Sequence, residues 1–97
     1  ETILTSKHKI AITHEKDPAK LDWAKYGVDM VLECSGKFNS REQAAAHLKA
    51  GAKRVLISAP APDADATIVY GVNHGALQTS HQVASVGSCT TNALAPV

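Results

Sequence analysis

Between Val28 and Ser58 two strand-length runs flank one helical stretch, and that order leaves room for few architectures. The first run, Val28 to Cys34, stops at Ser35-Gly36. At period two its Val28, Met30, Leu32 and Cys34 share one face, with Asp29 and Glu33 on the other. The apolar face is therefore expected to pack, and Cys34 to be a packing residue. From Ser40 to Ala50 the period changes: Ala44, Ala45, His47 and Leu48 line one face at three- and four-residue spacing. Ser40 with Gln43 three positions on fits a capping box, Asn39 is a rival cap, and Gly51 is a natural stop. Lys53 to Ser58 is the second run. Strand, helix, strand make a βαβ unit, whose strands are expected to be parallel and whose crossover right-handed. The class is α/β, with the sheet architecture that binds nucleotides at the C-terminal ends of its strands.

The remaining segments are shorter. Thr2-Ile3-Leu4 is strand-like, and Lys9 to Thr13 alternates polar and apolar as a half-buried strand would. Asp17-Pro18 breaks the chain, and Pro18 to Tyr26 is predicted to hold a short helical turn ending at Gly27. Ala59 to Asp65, with two prolines and two aspartates, is a loop. Thr67 to Tyr70 reads as a strand at an edge or antiparallel, and Gln82 to Val86 as another. Gly87-Ser88-Cys89-Thr90-Thr91-Asn92 leads into an apolar run, Ala93 to Val97, with the look of a helix's first turns. Glu1 rather than Met opens the chain, so an internal stretch of a longer protein is expected.

Composition narrows the function classes. Ten Lys and Arg against nine Asp and Glu leave a net charge of +1, which gives no support to a nucleic-acid binder or a polybasic membrane anchor. With 44% hydrophobic and 20% charged residues the chain is not disordered by composition. No apolar run approaches the roughly 18 residues of a membrane span, and no signal peptide opens it. Cys34 and Cys89 are too few for a disulfide scaffold and lack the paired spacing of a zinc site. The five histidines are scattered, none pairs at i, i+4, and surface or turn roles are expected of them rather than metal ligation.

Cys89 carries the chemistry. A thiol at a strand-to-helix junction meets free backbone N–H groups and the positive end of the helix dipole, which favour the thiolate. Those N–H groups, with the hydroxyls of Ser88, Thr90 and Thr91, would hold an oxyanion or a phosphate. An activated cysteine beside an anion site suits covalent chemistry on a phosphorylated carbonyl compound. The competing reading is a buried cysteine in a capped helix start. Ser35-Gly36 and Ser58 follow parallel strands, where ligands bind in open α/β sheets; an ordinary strand-ending turn is the alternative. No Gly-x-Gly-x-x-Gly is present.

Ser88-Cys89-Thr90-Thr91-Asn92 with Leu94-Ala95-Pro96 resembles the catalytic signature of phosphorylating glyceraldehyde-3-phosphate dehydrogenases. Glu15-Lys16-Asp17-Pro18 with Trp23, Glu33-Cys34-Ser35-Gly36 with Phe38, Ala46-His47-Leu48 through Val55, Ile57-Ser58-Ala59-Pro60 and Tyr70-Gly71-Val72-Asn73-His74 follow in the family's order. The resemblance implies that residues 1–87 belong to the second half of a Rossmann-type NAD-binding domain. Residues 88–97 would then begin a catalytic domain. It further implies Cys89 as the nucleophile that forms a hemithioacetal, with hydride passing to NAD and phosphate releasing an acyl phosphate. Ser88 and Thr90 would flank Cys89 in the substrate and phosphate site. Ser35 and Gly36 would meet the adenosine and pyrophosphate, and Ser58 the nicotinamide half. Lys16 would stand on the adenine side, where the family usually has arginine; a backbone contact would survive that change and a guanidinium contact would not.

Two departures are visible: Ser85-Val86-Gly87-Ser88 stands where the family commonly reads Ser-Asn-Ala-Ser, and Ala93 replaces a second cysteine. The resemblance puts the glycine-rich phosphate loop before Glu1 and the catalytic histidine after Val97, so the isolated stretch is expected to be inactive. Erythrose-4-phosphate dehydrogenase shares the same cysteine site, and a non-catalytic binding protein on the same fold is the reading from another class. The choice between NAD and NADP would rest on an acidic residue before Glu1. A cytoplasmic homotetramer is what the family implies.

Overall fold

A computed structural model describes residues 2–97. Strand β1 (Thr2–Leu4) pairs antiparallel with β2 (Lys9–Ala11), Thr2 opposite Ala11. Every residue of the hairpin is exposed, which corrects the half-buried strand expected over Lys9–Thr13. Alternation in sequence marks a strand but does not supply a layer for it to pack on. Asp17 caps a single 3-10 turn, Pro18–Lys20, by accepting the Ala19 N–H at 3.0 Å. Pro18 suits the first position of that turn because no N–H is needed there. The helical segment expected as far as Tyr26 is thus one short 3-10 turn, followed by a separate hydrogen-bonded turn over 23–27.

The main sheet holds β3 (Met30–Glu33), β4 (Arg54–Ile57), β5 (Ala66–Thr67) and β6 (Val83–Ser85) in the order β3-β4-β6-β5. All three neighbouring pairs are parallel. β5 lies at an edge and runs parallel to β6, but it holds only Ala66–Thr67, which corrects the strand expected over Thr67–Tyr70. Helix α1 (Arg41–Lys49) joins β3 to β4 and completes the βαβ unit. Ser40 is its cap, accepting the Gln43 N–H at 3.1 Å. Asn39 is not the cap; its amide donates to the Gly36 carbonyl instead. At the other end the Gly51 N–H bonds the Leu48 carbonyl and the Ala52 N–H bonds the His47 carbonyl, the paired closure of a Schellman motif. Gly51 has φ +114°, a conformation other residues rarely adopt. Helix α2 (Cys89–Leu94) follows β6 directly.

The register puts Val31, Val55 and Val83 in one row across the sheet, and Glu33, Ile57 and Ser85 in the next. This is the face that α1 covers, and all six residues are buried. Val31, Val55, Ile57 and Val83 form the core with Ala44 of the helix, Ala52 and Ala61, with Trp23, Val28 and Leu48 packed against them. The opposite face presents Met30 and Leu32, 52% and 63% exposed. The face assignment made from the Val28–Cys34 pattern is therefore reversed: Val31 and Glu33 point inward, Met30 and Leu32 outward. In a parallel sheet both faces are made apolar because both await a layer, so alternation cannot say which one a given helix takes. Cys34 follows the strand as an exposed free thiol, not a packing residue.

Candidate functional site

Parallel strands in this register end level with one another, so three connecting turns leave the sheet along one edge. They are Cys34–Gly36 after β3, Ser58–Ala59 after β4 and Val86–Ser88 after β6. Hydrogen bonds tie the three together: Ser58 N–H to the Glu33 carbonyl at 3.0 Å, and Val86 N–H to the Ile57 carbonyl at 3.1 Å. The last row of the covered face is polar at two of its three positions, and each polar side chain pins a departing turn. Ser85, fully buried, donates its hydroxyl to the Ala59 carbonyl at 2.6 Å and accepts the Gly87 N–H at 3.0 Å. Glu33, 5% exposed, accepts the N–H and the hydroxyl of Ser35. Neither role is legible as chemistry in the sequence, where Glu33 looks like a solvent-facing acid.

Gly87 makes the sharp corner from β6 into α2 with φ +74°. Ser88 is the cap: its hydroxyl accepts the Thr91 N–H at 3.0 Å and shares a 2.8 Å hydrogen bond with the Thr91 hydroxyl. The Asn92 amide donates both its protons backwards, to the Val86 and Ser88 carbonyls, each at 2.8 Å. Cys89 is thereby held as the first helical residue, exposed and free. The buried-cysteine alternative is corrected by that exposure. Among the described residues the Cys89 and Thr90 N–H groups have no acceptor, as the first groups of a helix must unless something outside it supplies one. No imidazole or other base hydrogen-bonds the Cys89 thiol among the described residues. The expectation for the hydroxyls is narrowed: those of Ser88 and Thr91 serve each other and the helix end, while that of Thr90 is exposed and has no partner among the described residues.

The Ser35–Gly36 turn is built from below. Burial raises the Glu33 pKa, but the hydrogen bonds from Ser35 and His47 outweigh it and hold the carboxyl below its ordinary range. The Ser35 hydroxyl, having donated to Glu33, accepts the Lys37 N–H at 3.1 Å. Gly36 has φ +76° and open space where a side chain would be. The Asn39 carbonyl oxygen beside it is buried without a partner among the described residues. A bare glycine corner at the carboxyl end of a parallel strand admits the backbone-close approach that a dinucleotide's phosphates require, so these residues fit such a group. Ser58 is exposed at the same edge. Lys16 is exposed in the loop before Asp17, and no hydrogen bond or ion pair joins it to the three turns among the described residues.

Sequence reasoning passed over one more residue. His47, expected at the surface or in a turn, is 4% exposed on the inner face of α1, because helix and sheet close around it. Its Nε2 lies 2.6 Å from Glu33 Oε2, and its Nδ1 is 3.1 Å from the Trp23 indole nitrogen. The only signal available was its place on the helix's apolar face.

A sequence model of the family described as "Glyceraldehyde 3-phosphate dehydrogenase, NAD binding domain" matches residues 1–41. The glyceraldehyde-3-phosphate dehydrogenase of Pseudomonas aeruginosa is 56% identical over 97 residues, which is all of this chain and 29% of that protein. The enzyme of the same name from Xanthobacter flavus is 57% identical over the same share of each chain. That from Zymomonas mobilis subsp. mobilis is 59% identical over 90 residues, 92% of this chain and 27% of its own length. The chain thus spans less than a third of the length of these relatives. Along its whole length the chain is thus similar to one stretch of glyceraldehyde-3-phosphate dehydrogenases, and the parallel, Rossmann-type sheet agrees with the NAD-binding domain matched over residues 1–41.

Proposed function

We propose that these residues serve an NAD-dependent oxidoreductase that converts glyceraldehyde 3-phosphate and inorganic phosphate to 1,3-bisphosphoglycerate. The observation that carries the proposal is the placement of an exposed, uncommitted thiol, Cys89, at the head of α2. Its helix leaves the sheet edge that also bears the open Gly36 corner. Residues 1–87 are assigned to the nucleotide-binding unit and 88–97 to the start of the catalytic one. Ser35 and Gly36 are assigned to the adenosine and pyrophosphate, Ser58 to the nicotinamide side, and Lys16 to the adenine side through its backbone.

The Cys89 thiolate adds to the aldehyde carbon, and the carbonyl oxygen takes up negative charge. The Cys89 N–H, unspent within the helix, would stabilise that charge. NAD, which Ser35, Gly36 and Ser58 would hold, would supply the acceptor for the hydride that the adduct carbon gives up in passing from the aldehyde to the acid oxidation level. The acyl group then rests on Cys89 Sγ as a thioester. Phosphate oxygen attacks the acyl carbon, the carbon–sulfur bond breaks, and the sulfur leaves as thiolate. Ser88 holds the helix start and Thr90 presents a free hydroxyl to the phosphate. The base that takes the proton lies outside these residues, so turnover is expected of the full-length polypeptide and not of this stretch alone. The reading extends to a homotetramer in the cytoplasm. Among the described residues no helix is long and apolar enough to cross a membrane.

The test follows NADH formation by the full-length protein with phosphate, offering glyceraldehyde 3-phosphate and erythrose 4-phosphate separately. Preference for the first, with turnover abolished by Cys89→Ala, is the expected result. Preference for the second would keep the mechanism and change the substrate. A protein active on neither would move a non-catalytic binding role to the front.

A further inference from the structure

Glu33 sits between two sets of donors. Its Oε1 accepts the Ser35 N–H at 2.9 Å and the Ser35 hydroxyl, and its Oε2 faces His47 Nε2 at 2.6 Å. On the far side of the ring, Nδ1 faces the indole nitrogen of Trp23. Indole nitrogen is a donor only, so His47 Nδ1 must accept, and the ring's proton must sit on Nε2. Nε2–H then donates to Glu33. The chain of polarity runs one way, from Trp23 through His47 and Glu33 to the exposed turn after β3, and its first three members are buried or half-buried between α1 and the sheet. Only a group that accepts at both oxygens fits the middle position. A glutamine cannot: with its oxygen toward Ser35 its amide meets Nε2–H, and turned over, its amide meets the Ser35 N–H.

We infer that Glu33 is a positioning residue for the dinucleotide, its carboxylate oriented by His47 and Trp23 so that the Ser35–Gly36 turn keeps the shape that receives the adenosine–pyrophosphate half. This rests on the assignment of that turn to NAD under Proposed function. Neither Glu33 nor His47 touches the cofactor in this arrangement. Breaking the link relaxes the turn while β3, β4 and the Cys89 helix keep their own hydrogen bonds.

The experiment uses the full-length protein and measures NAD affinity by calorimetry alongside steady-state kinetics. Glu33→Gln is expected to raise the NAD dissociation constant and KM about tenfold, the usual cost of one lost charge-assisted hydrogen bond. The KM for glyceraldehyde 3-phosphate and kcat at saturating NAD should move less than about twofold. Adding Trp23→Phe removes the donor that fixes the ring's tautomer, so Nε2 is free to accept from the new amide. The double variant should recover most of the lost affinity. A Glu33→Gln protein that binds NAD as the wild type does overturns the inference, as does a double variant that recovers nothing. Should Glu33→Gln not fold, Glu33→Asp carries the test: it keeps the charge but is one methylene too short to span Ser35 and His47, and unchanged NAD affinity would again overturn the inference. If the wild type itself does not bind NAD, the functional assignment fails and this inference goes with it. The wild-type measurement decides the first, the variant-to-wild-type ratio the second.

Discussion

At the scale of single residues, the chemistry of Cys89 depends on side chains that are themselves unreactive. Asn92 donates two hydrogen bonds into the corner that carries the cysteine, and the Thr91 hydroxyl meets that of Ser88 from the same helix turn. Asn92→Ala is expected to cost about 1–2 kcal/mol, two neutral hydrogen bonds at an exposed site, read as a lower denaturant midpoint with an unchanged slope. Asn92→Asp should be worse than alanine although it is nearly isosteric, because a carboxylate can only accept and would face two carbonyl oxygens. An aspartate variant as stable as the wild type would show that these two bonds do not hold the corner. Alkylation does not separate the two cysteines by access, since both thiols are exposed; a rate advantage for Cys89 would have to come from the helix end it occupies.

At the scale of elements, α1 ends in close contact with the turn after Pro18, at Gly51. A Cβ on Gly51 would lie 2.6 Å from Ala24 N and Cβ, and φ +114° is strained for any L side chain. Gly51→Ala should therefore cost at least about 1–3 kcal/mol from the backbone alone, with the clash in addition. A melting temperature within a degree of wild type would refute this. Ile57 stands at the centre of the covered face and is fully buried. Ile57→Ala should lose about 2–5 kcal/mol, the range for a large apolar side chain removed from a packed core. Both sites were visible as types in the sequence, the glycine as a helix stop and the isoleucine as a strand residue. What they touch was not, because Ala24 and Gly51 meet only once the chain has folded back.

At the scale of the molecule, two carboxylates link the layers and should set the response to acid. The Arg41 guanidinium holds the Asp65 carboxyl below its ordinary 3.8, helped by the Gln82 and Val83 N–H groups, so the start of α1 is tied to the start of β6. Glu33 is held below its ordinary 4.5. Both groups have lower pKa values folded than unfolded. Their contribution is therefore complete above about pH 5 and is lost as the pH falls through the ordinary values and below. Thermal melting between pH 7 and 3 should show stability falling on the acid side, and a Glu33→Gln/Asp65→Asn double variant should be less stable at pH 7 with a flatter fall. An equally steep fall in the double variant would place the acid sensitivity elsewhere.

The sequence by itself determined the order of elements, the βαβ unit, the cap at Ser40, the stop at Gly51 and the strand-to-helix position of Cys89. These follow from local periodicity and turn chemistry, which neighbouring residues settle among themselves. The tertiary structure decided which face of β3 is covered, that Cys34 is exposed, that the hairpin is exposed along both strands, and that Glu33, His47 and Trp23 form one chain beneath the surface. Those outcomes depend on burial between residues far apart in sequence. A glutamate and a histidine carry the same sequence signal whether they face water or each other, and only the closing of helix on sheet gives each the partner that makes its burial tolerable.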